Sequence, residues 1–325
     1  MAVGHVGILR HPEGESPSRV AWRIFARNRV AVAGMVSVVV FFTVALAGLA
    51  LTKGEHPVLD PREVRLPDKL KPPLSRPNSE VVPQEIRPRL GIYLFGTDEL
   101  GRDVFARMLE GSFVSLAVGF VAVGIAVAIG LALGGIAGYY GRASLGVWRF
   151  RMTVDTLITG LIDVMLSFPS FFLVLTVVAI LRPSIWNIMV VIGLTSWEGT
   201  ARFVRAEILS LREQEFVQAA AALGASGPRV VLRHLIPNSV APVLVSATLG
   251  IAGAILTESG LSFLGFGVPP PDATWGNILS DGKRYLFDAP WLTFIPGTAI
   301  FVLVLAFNLF GEGLREAFNP KLRHG

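Results

Sequence analysis

The sequence predicts an all-α integral membrane protein with six spanning helices. Hydrophobic residues make up 52% of the 325 positions and charged residues only 16%, whereas a soluble domain carries roughly 25% charged residues. Mean hydropathy is +0.58. Apolar runs recur at about 20 residues, the length a helix needs to cross a bilayer core. This pattern excludes an ordinary soluble globule and a disordered chain.

The runs come in this order. Val30–Leu51 gives 22 residues without a charge, and Ser112–Gly141 gives 30. Thr156–Leu181 is apolar except for Asp163, and Pro169 can kink that helix. Pro183–Trp197 is the shortest, at 15 residues before Glu198. Leu235–Thr257 and Ala289–Gly311 give 23 each. The first run is longer than a signal-peptide core and no small-residue cleavage site follows it, so it reads as a retained anchor.

An even number of spans places both termini on one side. Lys and Arg in the short flanks identify that side. Sixteen lie in the two tails and the loops after helices two and four: Arg10, Arg19, Arg23, Arg27, Arg29, Arg142, Arg149, Arg151, Arg202, Arg205, Arg212, Arg229, Arg233, Arg315, Lys321 and Arg323. The opposite short loops hold three, Arg182, Lys283 and Arg284. Both termini are therefore expected in the cytoplasm. The net charge of +5 reflects this orientation bias; the pattern expected for nucleic-acid binding, a soluble basic face with interleaved aromatics, is not present.

The chain divides into a tail (1–29), a first helix (30–52), an external segment (53–111), a five-helix core (112–312) containing a cytoplasmic loop (202–236), and a tail (313–325). Eight of the 21 prolines fall between residues 53 and 97. Such density resists helix and central strand, so an irregular segment is expected, serving either as a tether or as a docking surface.

Cysteine is absent, which removes disulfides, thiolate metal sites and a cysteine nucleophile. The five histidines have no metal-ligand spacing. No GxxxxGK[ST] phosphate loop occurs, so no ATP site is expected. Gly130, Gly134 and Gly138 form two overlapping GxxxG steps, suited to close helix contact within the subunit or with a partner. Asp155, Asp163, Glu198, Glu258 and Asn308 lie in or beside the apolar runs, where a polar group usually faces a partner or a cavity. Asp163, Glu258 and Asn308 are candidate pathway residues. For Asp163, pairing with another subunit and a proton relay both remain open.

The loop after helix four is the most informative stretch. Glu215 to Ala222 is alanine-rich and helix-favouring, and Gly224 can end that helix at positive φ. Pro228 suits the first turn of a second short helix with Gly227 as its cap, and Pro237 marks the start of helix five. Phe216, Ala220 and Leu223 share one side by helical periodicity. The product is a compact helix–turn–helix at the membrane surface, either a connector or a knob for another protein's groove.

This stretch resembles the EAA loop of ABC importer permeases. Gln218-Ala219-Ala220 stands for the first triplet, Gly224 for the glycine, and His234, Ile236 and Pro237 for the last places. Gln218, His234 and Ile236 depart from the usual residues while the spacing is kept. Two further stretches resemble the dipeptide/oligopeptide/nickel branch. One is Phe95 to Phe105, with Gly96, Thr97, Asp98, Gly101, Arg102 and Asp103; the other is Leu256 to Pro270, with Trp275-Gly276 after it, as in the second (C-type) permease.

The resemblance spans about residues 20 to 325. It implies a type I ABC importer permease fold in the cytoplasmic (inner) membrane. It also implies a second permease subunit, two cytoplasmic ABC ATPases that use ATP and Mg, and an external peptide-binding protein. The chain itself is expected to hold no cofactor and to be no enzyme. Its loop would couple ATPase motion to import of dipeptides or oligopeptides. Import of nickel or another small solute, a proton-coupled transporter, and an intramembrane hydrolase using Ser259 are the alternatives.

Overall fold

The structure, a computed structural model, describes residues 17–54, 57–147 and 150–318. Arg10, Arg149, Lys321 and Arg323 of the charge count, and most of the two tails, lie outside the described residues.

The chain opens with α1 (Pro17–Arg27), inside the stretch read as a tail. Asn28 caps α2 (Arg29–Thr52), its side-chain oxygen accepting from the N–H groups of Val30 and Ala31 at 3.1 Å. The next long helix, α3, is Val104–Tyr140, starting earlier than the apolar run predicts. The charges that hid its first turns are paired: Arg107 with Asp98 and Asp281, and Glu110 with the Ala273 N–H at 3.1 Å. Its 37 residues correspond to about 55 Å at 1.5 Å per residue. That exceeds a bilayer core of roughly 30 Å, so at least one end projects.

A hairpin follows, β1 (Ser144–Val147) against β2 (Phe150–Thr153), with Ser144 opposite Thr153. The expected third helix is two helices, α4 (Val154–Ser167) and α5 (Ser170–Ile180), bent by 83°. Pro169 is responsible: the preceding Phe168 is driven to extended backbone, which ends α4.

The fourth span is corrected more strongly. Only Ile185–Leu194 of it is helical (α6), and ten residues reach about 15 Å. A second helix, α7 (Glu198–Arg212), continues beyond Thr195–Trp197. Together they pack along α3. A Cβ at Gly193 would lie 2.7 Å from Ile125, one at Gly130 2.7 Å from Thr200, one at Gly134 2.5 Å from the Ala201 carbonyl, and one at Gly138 2.8 Å from Ile208. The GxxxG steps are thus filled by α7 of the same chain.

The chain then forms α8 (Glu215–Ala222) and α9 (Gly227–Val230), a π turn (Val231–Leu235) and α10 (Ile236–Phe263). Residues Gly227–Phe263 make one apolar rod of 37 residues. Two helices complete the fold, α11 (Trp275–Gly282) and α12 (Trp291–Phe318). Four rods among the described residues are long and apolar enough to cross a membrane, or five if the bent α4–α5 pair is one span. The main core joins α2, α3, α6, α10, α11 and α12 through residues such as Val38, Val118, Ile188, Ile255, Trp275 and Phe307.

The proline-rich segment is no free tether. It packs as an irregular cap with two short 3₁₀ turns, Leu66–Asp68 and Gln84–Ile86. Asp68, Tyr93, Val82 and Arg65 of this cap are buried. Proline density excluded regular structure here, but not packing.

Candidate functional site

The loop of the predicted coupling motif forms a knob between α7 and α10. Its first helix, α8, ends as the sequence predicts. Gly224 has φ +85°, its N–H bonds the Ala221 carbonyl at 3.0 Å, and the Ala225 N–H reaches back to Ala220 at 3.1 Å. The cap of the second helix is Ser226, with Gly227 and Pro228 already inside the first turn. Pro237 lies in the first turn of α10, as the sequence predicts. α10 is continuous with the π turn before it, the Ile236 N–H bonding the Val231 carbonyl.

The knob is seated from beneath by Val217, which is buried with Val204, Ile208, Val230 and Leu235. Its outer surface carries the predicted side. Leu223 is 89% exposed, Phe216 44%, and Leu232 of the π turn 67%. Ala220 is half-buried, Ala219 and Pro237 are exposed, and His234 and Ile236 are half-buried. Gln218 donates to the Glu213 carbonyl at 3.2 Å, closing the turn before α8. Leaving large apolar side chains in water is unfavourable, by about 25 cal/mol per Å² of apolar surface. Burial against a partner would remove that cost.

Two ion pairs brace the knob's support. Arg205 of α7 grips Asp155 of α4 with both guanidinium branches, the second at 2.6 Å, and Arg202 meets Asp163 at 2.8 Å. Asp163 therefore has its partner within this chain. These pairs span 50 and 39 residues of sequence, and no local spacing could have shown them. The knob thus adjoins α7 on one side and α10 on the other, and α7 packs on α3 and α4.

The stretch Gly96–Asp103 lies in the cap before α3. Asp98 is wholly buried and accepts from the N–H groups of Leu100 and Arg102 at 2.9 Å and from the side chains of Arg102 and Arg107 at 2.6 Å. Gly101, at φ +73°, passes so close to Arg65 that a Cβ would overlap its carbonyl. Thr97 accepts from the Lys71 N–H at 2.7 Å, and its carbonyl takes the Trp291 indole N–H at 3.2 Å. Asp103 caps α3 through the Phe105 N–H, and burial pushes its carboxyl above the usual range. At Asp68, burial alone would raise the carboxyl, but hydrogen bonds from Lys71, Tyr93 and Asn78 outweigh it and hold it low. Gly96, with φ +77°, packs under Trp291. The motif thus pins the cap to α3, α11 and α12.

The remaining candidates do not meet. Glu258 is wholly buried in α10 and accepts from the Ser262 hydroxyl at 2.7 Å; among the described residues its second oxygen and Ser259 Oγ make no hydrogen bond of normal geometry. Asn308 is exposed on α12 and donates to the Val304 carbonyl at 2.8 Å of its own helix. Among the described residues no group of three metal-type side chains is close enough to hold an ion.

Comparison with known proteins gives matches over most of the chain. The sequence pattern described as binding-protein-dependent transport system inner membrane component matches residues 130–324. That of the N-terminal TM domain of oligopeptide transport permease C matches residues 16–73. A dipeptide transport system permease protein, DppC of Alkalihalophilus pseudofirmus, is 38% identical over 308 residues, covering 95% of this chain and 91% of the relative. DppC of Haemophilus influenzae is 35% identical, covering 95% of this chain and 96% of its own length. Among solved structures, a chain of the MetNI methionine ABC transporter in inward-facing conformations aligns at 18% identity and TM-score 0.49, over 64% of this chain and 95% of that one.

Proposed function

The chain belongs to the family of binding-protein-dependent transport system inner membrane components, and from that premise we propose that it carries dipeptides or oligopeptides into the cell. It is a multi-pass permease subunit of an ABC importer, resident in the inner membrane. The cargo reading rests on one observation: near full-length identity of 35–38% to relatives named as dipeptide permeases.

In this reading the chain works beside a second, homologous permease. Two cytoplasmic ATPases bind ATP and Mg and supply the energy, and an external peptide-binding protein delivers cargo. Both termini and the knob face the cytoplasm, as the positive-inside count favours. Phe216, Leu223 and Leu232 enter a groove on one ATPase. Closure of the ATPase pair moves the knob, and the braced α7 and the unbroken Gly227–Phe263 rod carry that displacement into the bundle. The two permeases then alternate between inward and outward openings. The chain's own part is mechanical: it receives motion at Phe216–Pro237 and performs no chemistry.

The test is reconstitution with the partner subunits in proteoliposomes. Uptake of a labelled dipeptide should require both ATP and the binding protein. Uptake by this chain alone under a pH gradient, or uptake of nickel with no peptide transport, would overturn the reading.

A further inference from the structure

We propose that the outward face of α1 is a seat for the phosphate headgroups of anionic lipids. Arg19, Trp22, Ala26 and Arg27 are all exposed and lie on one helical face, 19, 22 and 26 at three- and four-residue steps with 27 beside them. Trp22 is 59% exposed. The helix contains no acidic residue.

The opposite face is fixed. Phe25 and Ala21 are buried with Ala31 and Ala317, and the Phe25 ring meets Phe310 edge-on at 5.9 Å. Gly313 lets this happen, since a Cβ there would overlap that of Ala31 and lie 2.9 Å from the Phe25 ring. Trp22 stacks on Phe25 with ring centroids 5.8 Å apart, which holds its indole in place. The arginine–tryptophan face is thus held by the ends of α2 and α12 rather than carried on a loose tail. At the end of α12, Glu316 is taken by the Asn28 amide at 2.7 Å.

The membrane is the occupant because α1 leads directly into α2, a helix long and apolar enough to cross a bilayer. Asn28 alone separates it from α2, whose Val36, Val39, Val40 and Leu46 are exposed. α1 therefore lies at the end of a membrane-length apolar helix, at the plane where the chain enters the bilayer. Arginine forks match phosphate oxygens bidentately, and tryptophan favours the headgroup level. The face therefore fits anionic headgroups in preference to zwitterionic ones.

The experiment uses the assembled transporter in vesicles containing brominated phosphatidylglycerol or brominated phosphatidylcholine. The Trp22 signal is the fluorescence difference between the parent and Trp22→Phe. We expect that signal to be quenched about twofold or more strongly by the anionic lipid, and the preference to vanish in Arg19→Gln/Arg27→Gln. Equal quenching by both lipids would overturn the proposal. So would no quenching, which would leave the face to solvent or to a partner subunit. Should the double variant fail to assemble, the parent comparison decides alone. The readout involves no uptake, so it can fail without touching the transport reading.

Discussion

Arg107 Nη1 lies 2.6 Å from the buried Asp98 carboxylate and 2.9 Å from Asp281, tying the cap, α3 and α11 together at one point. Among the described residues, removing Asp98 leaves the nearly buried Arg107 paired with Asp281 alone, which is partly exposed. Breaking a buried pair from one side costs roughly 3–5 kcal/mol. Asp98→Ala should therefore lower the thermal unfolding midpoint of the purified complex clearly more than Asp281→Ala. Equal midpoints for the two variants would contradict the role given to Asp98.

The cap should also respond to pH at both extremes. Tyr93 donates to Asp68 at 2.6 Å. The Asp68 carboxyl is held below its ordinary 3.8, so its contribution is present above that value and is lost as pH falls below it. Burial and the Asp68 hydrogen bond push the Tyr93 phenol above its ordinary 10.0, so its contribution holds below pH 10 and is lost as pH rises further. Protection factors of residues 66–93, exchange rates corrected for their intrinsic rise with pH, should hold between these limits and fall outside them. Tyr93→Phe should remove the alkaline limb. An alkaline limb unchanged in that variant would contradict the assignment.

The two ion pairs under the knob should differ in weight. Arg202 and Asp163 are 57% and 68% exposed, whereas Arg205 and Asp155 are 27% and 31% exposed and doubly bonded. An exposed pair is worth about 0–1 kcal/mol. A double-mutant cycle on Asp163 and Arg202 should give a coupling in that range, and one on Asp155 and Arg205 a larger value. The reverse order would remove α4 as the brace of α7.

Gly224→Asp should separate folding from transport. No atom lies within 4 Å of a Cβ built there, so the cost is conformational, from φ +85°. That amounts to roughly 1–2 kcal/mol. Insertion and assembly should survive while substrate-stimulated ATP hydrolysis and uptake fall together. Normal uptake by this variant would deny the knob its role.

The range of the forces involved decides which features are legible in the sequence. Gly224 and the alanine run of α8 act on their own backbone, so the end of the first knob helix is readable locally. The long spans announce themselves through composition. Helix α1 is hidden in a tail because its three arginines interrupt any apolar run, although its buried residues have helical spacing. The fourth span is obscured because α6 and α7 share the job, with Glu198 and three arginines excluding α7 from any apolar window. The Asp155–Arg205 and Asp163–Arg202 pairs join residues far apart in sequence. Neither the cap's packing nor the filling of the glycine stripe by α7 has a local signature.

The proposed contact between knob and ATPase can be tested directly because the chain has no cysteine. A single Leu223→Cys places a unique thiol on the most exposed apolar side chain of the knob, at 89% exposure for the native leucine. In the isolated chain it should react freely with a maleimide. In the assembled transporter it should be protected, and a short bifunctional reagent should join it to an ATPase subunit. Equal labelling with and without the ATPases, and no crosslink between them, would contradict the knob as the place where nucleotide-driven motion enters this protein.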